Sequence, residues 1–267
     1  MTTGVRMRIA LGVEYEGVNY YGFQRQNERV SIQGELERAL GKIADCEVAL
    51  QCAGRTDAGV NATGQVVHID VECERSDKSW VMGTNTHLPS DIAVTWARHV
   101  SDAFHARFSA RARRYRYILQ NTMHRPGILT HGVSVYQGNF DVAAMHEAAQ
   151  ILRGENDFAS FCGADDETRS TFRCVHFLDV SRHGPFIVFD IAANAFLNHM
   201  VRNIVGSLLE VGSGRKDACW FKDVFEACDR SKAGPTAKPD GLYLVDVTYP
   251  TEFSLPRREF VGPLWLP

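Results

Sequence analysis

Residues 52–71 read CAGRTDAGVNATGQVVHIDV. Val48–Cys52 is apolar and strand-like. Gln65–Val71 alternates, with Val67, Ile69 and Val71 on one side and Val66, His68 and Asp70 on the other, which is the period of a strand. Between them lies a loop with glycines at 54 and 59, residues that permit positive φ or close backbone approach. The segment therefore predicts two strands joined by a hinged loop that carries Arg55 and Asp57 almost side by side. The ordinary use of an aspartate before Ala-Gly is turn chemistry, its side chain accepting from a nearby backbone N–H. The adjacent cation, the paired glycines and the mounting between two apolar strands lower the weight of that reading without displacing it, because sites tend to sit on loops held by a rigid sheet.

Working outward, Met7–Tyr15 reads as a strand and Glu16-Gly17 as the turn after it. Ser31 is placed to cap a helix, and Ile32, Leu36, Leu40 and Ile43 follow at helical spacing. Trp80–Thr86 reads as a short helix ended by Leu88-Pro89, and Ile92–Val100 as a further strand. The order is β-α-β-β-α-β. The second half repeats it. Arg113–Asn121 is a strand, Val142–Leu152 a helix, and Phe172–Val180 and Phe186–Ala192 are strands. Phe196–Val211 is a helix with an apolar stripe, residues 217–228 are an inserted helix, and Leu242–Val247 is a last strand. Two such units predict an α+β fold of two ferredoxin-like (RRM-like) halves, residues 1–104 and 105–267. These would form one extended antiparallel sheet with helices on one side, leaving a face of the kind that takes RNA.

The 267 residues are 45% hydrophobic and 23% charged, a globular composition. Seven cysteines without a C-x-x-C, and ten scattered histidines, point to no disulfide framework and no bound metal. An apolar run interrupted at Glu14, and no run near the length of a membrane span, predict a cytoplasmic protein. Net charge is −3, yet Ala103–Phe140 has no acidic residue and six arginines: 107, 111, 113, 114, 116 and 125. Such a stripe is either a footprint for a polyanion or a salt-bridged face.

Within that stripe, alternation puts Tyr115 and Tyr117 on one side of the strand and Arg114 and Arg116 on the other. This is a half-buried strand with aromatics in the core, or an aromatic platform beside a phosphate-binding row. Arg202 falls about 140° around the helix from Leu197. It is either an arginine snorkelling off a buried helix or a partly buried cation that holds a carboxylate ionised. His105 and His199 have no evident partner and are read as structural.

With these residues in place, GRTDAGV at Gly54–Val60 and TGQVVH at Thr63–His68 resemble the signature of the transfer-RNA pseudouridine synthase A family. Further blocks agree in order: YEGVNYYGFQRQ from Tyr15, GTNTHLPSDIAV from Gly83, FHARFSARARRYRYIL from Phe104, LRGENDFASF from Leu152, FLNHMVRNIVG from Phe196 and GLYLVDVTYP from Gly241. The resemblance implies isomerisation of uridine to pseudouridine in the tRNA anticodon stem-loop, around positions 38, 39 and 40. It also implies no cofactor, no metal, a homodimer, and two ferredoxin-like halves around a basic cleft. Residue by residue, Asp57 matches the catalytic aspartate, which could act as a nucleophile at the sugar or as a base on it. Tyr115 matches the tyrosine that stacks on the target base, and Arg202 the arginine that pairs with the aspartate. Arg55 matches the arginine that fills the stack vacated by the flipped nucleotide. Asn61 and Asn198 stand where the family pattern often has histidine, and Glu16, Val18 and Phe23 also depart from it. Two other functions compete: a catalytically silent RNA-binding protein with the same sheet face, and a metal-dependent nuclease. The first has no use for Asp57, and the second lacks clustered carboxylates and histidines.

Overall fold

The computed structural model describes residues 6–124, 126–163 and 169–256. The chain folds as two compact units, one running to Arg111 and resuming at Leu244, the other spanning Ala112–Tyr243. The division therefore falls seven residues after the expected boundary at 104, and the chain after Tyr243 belongs with the first unit rather than the second.

The first unit follows the order β1 (Met7–Tyr15), α1 (Ile32–Ala44), β2 (Leu50–Cys52), β3 (Asn61–Val71), α2 (Asp77–His87) and β4 (Ile92–Val100). Strand β1 is central, antiparallel to β3 on one side and to β4 on the other, and β2 pairs antiparallel with the far edge of β3. Strand β10 (Leu242–Thr248) continues that far edge from Leu244 onward, so close that a Cβ on Gly64 would come within 2.1 Å of Val245 O. Helix α1 forms where expected. The Ser31 hydroxyl accepts from Gly34 N–H, a cap worth about 1 kcal/mol, and Ile32, Leu36 and Leu40 are buried against the sheet. Trp80 on α2 is fully buried.

Strand β3 is buried on both faces for most of its length. Val67, Ile69 and Val71 on one side are at most 2% exposed, and His68 on the other is only 3% exposed. Residues 102–109 and 249–253 cover the second face. The Phe104 ring lies 5.1 Å from those of both Tyr249 and Phe253, and the Tyr249 hydroxyl donates to Ala106 O. Arg8 forks onto Asp70 and also donates to the carbonyls of Asp102 and Phe104, pinning the covering segment to β1.

The second unit contains β5 (Ala112–Asn121), β6 (Ser134–Tyr136), α3 (Val142–Ala149), β7 (Gly154–Asp157), β8 (Phe172–His183), β9 (Phe186–Ala193), α4 (Met200–Gly212) and α5 (Ala218–Glu226). Strands β5, β9, β8 and β7 pair antiparallel in that order, and short β6 runs parallel to β5. The approach to β10 joins β5 through Ile118 N–H to Gly241 O. Strands β6 and β7, of three and four residues, are too short for a periodic signal, and GEND at β7 has no apolar residue to show one.

Helix α4 begins at Met200, four residues later than predicted. His199 takes φ 59°, a left-handed conformation that cannot continue a right-handed helix. Leu197 is still buried, in the approach rather than in the helix, and so mimics its periodicity. The 140° angle between Leu197 and Arg202 therefore has no counterpart in the structure; Arg202 lies in the first turn of α4.

Candidate active site

The loop between β2 and β3 is fastened on every side. Ala53 N–H donates to Val66 O at 2.8 Å, closing its base. Gln65, fully buried, donates from Nε2 to Gly54 O at 2.7 Å. Thr56, also buried, shares a 2.8 Å hydrogen bond with the Tyr15 hydroxyl, and its carbonyl accepts from Phe23 N–H at 3.0 Å. Val60 N–H returns to Asp57 O at 3.1 Å, and Gly59 at φ 77° makes that turn possible. The 17–23 segment packs directly on this loop. A Cβ on Gly17 would lie 2.1 Å from Val60 O, and one on Gly22 would lie 2.9 Å from Thr56 O. Asn61, 2% exposed, accepts Gly17 N–H at 2.8 Å and so ties the segment down.

Asp57 is thus a half-buried carboxylate on a rigid loop, while Arg55 two residues earlier is exposed. Beside them, burial pushes the Cys52 thiol up to about 11, opposed by the positive charges of Arg55 and Arg107. Cys52 therefore stays a neutral thiol, and two cations share its neighbourhood. The 17–30 segment also displays Tyr21, 53% exposed, with the Arg29 guanidinium 4.6 Å from its ring centre. Tyr20 donates to Asp91 at 2.6 Å; burial first and that bond second push its hydroxyl well above the ordinary phenol range. A cavity of about 290 Å³ lies among Gly12, Gly64, Val66, Trp96, Asp246 and Tyr249, and neither Asp57 nor Arg55 lines it.

Tyr115 and Arg202 belong to the second unit. Tyr115 is 8% exposed, with its ring edge-on to Phe196 at 4.9 Å. Arg202 is half-buried; its Nε donates to Ala237 O at 2.8 Å, and Ala237 N–H donates back to Arg202 O. Its charge reaches Tyr117, where it opposes the strong upward shift that burial imposes on that phenol.

The arginine stripe divides. Arg107 and Arg111 are exposed in the first unit. In the second unit, Arg114 forks onto Asp190 at 2.7 and 2.6 Å, and Arg116, 6% exposed, donates to the same carboxylate at 2.7 Å. Arg113 donates to Asn194 O. Of the two readings of the stripe, the salt-bridged face is the one seen at Arg114 and Arg116. Arg125 lies outside the described residues. His105 keeps a structural role, its Nδ1 accepting from Arg107 and Phe108 N–H. Among the described residues, no group of three or more His, Cys, Asp or Glu could hold a metal ion, and no helix is long and apolar enough to cross a membrane.

Sequence reading missed the residues that hold the loop: Tyr15, Thr56, Asn61 and Gln65. One signal was present. Gly17 and Gly22 sit in the block after β1, and each is a glycine because backbone passes within 3 Å of where a Cβ would be.

A family model described as tRNA pseudouridine synthase matches residues 12–109 and 148–250. A curated relative from Shewanella amazonensis, tRNA pseudouridine synthase A, is 59% identical over 98% of this chain and 100% of its own length. One of the same name from Vibrio vulnificus is 60% identical over 98% of each chain. Among solved structures, a Cbf5–Nop10–Gar1 complex aligns with 84% of this chain and 60% of its own chain at 13% identity, with a TM-score of 0.38.

Proposed function

The chain belongs to the tRNA pseudouridine synthase family and isomerises uridine to pseudouridine in tRNA; from that premise we propose that Asp57 is its catalytic residue and the anticodon stem-loop its target. The observation that carries this is the loop itself. A half-buried carboxylate is presented on a backbone fixed by Tyr15, Phe23, Gln65 and Val66, inside the matched region. Pre-organisation of this kind is what a group acting on a flipped nucleotide requires.

The reaction conserves every atom. The C1′–N1 bond breaks, the uracil turns, C5 bonds to C1′, and the proton leaving C5 is balanced by one gained at N1. Asp57 either attacks C1′ or takes a proton from the sugar, and both routes need an ionised carboxylate at the sugar. Arg202 supplies the cation that keeps it ionised, Tyr115 stacks on the target uracil, and Arg55 fills the gap left in the RNA stack. Both units read as ferredoxin-like halves, and the β-α-β-β-α-β order of the first supports that description. The enzyme works without cofactor, as a homodimer, in the cytoplasm.

The decisive experiment incubates the protein with unmodified tRNA and maps pseudouridine along it. Modification at positions around 38 to 40 is expected; modification confined to another arm would overturn the stem-loop assignment.

A further inference from the structure

Phe108 is 76% exposed, and it is not loosely held. Its ring lies 4.3 Å from that of His105, tilted by 35°, and His105 in turn lies 4.7 Å from buried His68. The backbone beneath it is tied at successive positions. Phe108 and Arg107 N–H both donate to His105 Nδ1, and Ala106 N–H donates to His68 Nδ1. His105 N–H donates to the Ser109 hydroxyl, and Ser109 N–H donates back to His105 O. Burial and the Arg8 charge hold His68 at about 4, so it stays neutral and keeps accepting. The Arg107 guanidinium sits 5.7 Å from the Phe108 ring centre. His68 pairs across from Gln51 on β2, next to Cys52 at the base of the Asp57 loop, so the His68–His105–Phe108 ring series lies beside that loop within the first unit.

We propose that Phe108 and Arg107 form a stacking platform for an unpaired tRNA base that flanks the reacting nucleotide. A fixed, exposed aromatic ring with an adjacent cation is what single-stranded RNA recognition uses: the ring takes a base face and the guanidinium a phosphate. With about three quarters of its surface left in water, such a ring returns little apolar burial to folding. The cations beside it favour RNA over a second protein surface, which would have to desolvate them. This rests on the Asp57 reading for its location, and the test separates the two.

The test measures binding of unmodified tRNA transcript to Asp57→Asn protein, in which turnover does not mask affinity. Adding Phe108→Ala should weaken binding about tenfold, and Phe108→Trp should restore it, because one base stack is lost and regained. Met82, 59% exposed on α2, provides the control, and Met82→Ala should bind as the parent does. Unchanged affinity in Phe108→Ala overturns the platform, as does an equal loss in Met82→Ala. Dissociation of an oligomer by Phe108→Ala, seen by light scattering with affinity per subunit unchanged, would overturn it in favour of a protein contact. Turnover by the Asp57→Asn parent would defeat the catalytic reading while leaving the binding comparison intact.

Discussion

Asp57 and Asp190 are both aspartates with arginines nearby, and the fold treats them in opposite ways. Asp190 sits on β9, where two arginines of β5 converge on it, and both its oxygens accept from Arg114 and Arg116. It is 9% exposed and pairs with arginines 76 and 74 positions away in the chain. Asp57 sits on a loop whose ties come from backbone groups and neutral side chains, while the nearby Arg55 points to solvent. One region spends its charges on its own stability. The other fixes its backbone by neutral hydrogen bonds and keeps the Arg55 guanidinium in water.

The sharpest way to break that contrast is to make the same carboxylate-to-amide change in both places. Asp57→Asn should lower pseudouridine formation by at least about 10³-fold, the scale of losing a nucleophile or a positioned base. It should leave tRNA affinity and unfolding midpoint near those of the parent. Tritium release from tRNA labelled at uracil C5 reads the first, and urea denaturation the last. Activity within tenfold of the parent would return Asp57 to turn chemistry.

Asp190→Asn should do the reverse. It leaves two guanidinium groups, one of them buried, without their counter-charge, a defect worth about 3 kcal/mol of unfolding free energy. Once folded, the variant should turn over at close to the parent rate. A stable Asp190→Asn protein with weakened tRNA binding would mean that the arginine row of β5 serves RNA after all.

The contrast also explains what the sequence could reveal. Strands β1 and β4 match their predicted limits because each is a continuous alternating or apolar run with a turn at its end. The Arg55–Asp57 loop stood out because an arginine and an aspartate sit between two glycines and two apolar strands. Its fastening did not, because Tyr15, Phe23 and Gln65 reach it from 11 to 41 positions away through single hydrogen bonds that leave no periodicity. Arg114 and Arg116 resembled a phosphate row for the same reason: Asp190 is invisible until β5 and β9 are paired. Helix α4 was overextended because Leu197 packs like a helical residue while His199 turns the chain.

A smaller effect tests the scaffold beneath the loop. His68 on β3 is buried, and burial together with the charge of Arg8 and neighbouring His105 lowers it from an ordinary 6.5 to about 4. The unfolded chain therefore binds a proton between those values that the folded chain refuses, and stability must fall as pH drops from 6.5 toward 4. Between pH 7 and pH 5 this residue accounts for about 2 kcal/mol. His68→Asn keeps an acceptor for Ala106 N–H but cannot titrate, so its unfolding free energy should fall by about 2 kcal/mol less than the parent's over that interval. Urea denaturation at the two pH values measures both slopes. Because the edge-on His68–His105 contact supports the segment over β3, the acid-sensitive element lies in the first unit, behind the Asp57 loop. Identical slopes in the two proteins would move that sensitivity elsewhere and remove the distinction between a neutral-bonded scaffold and a charge-paired one.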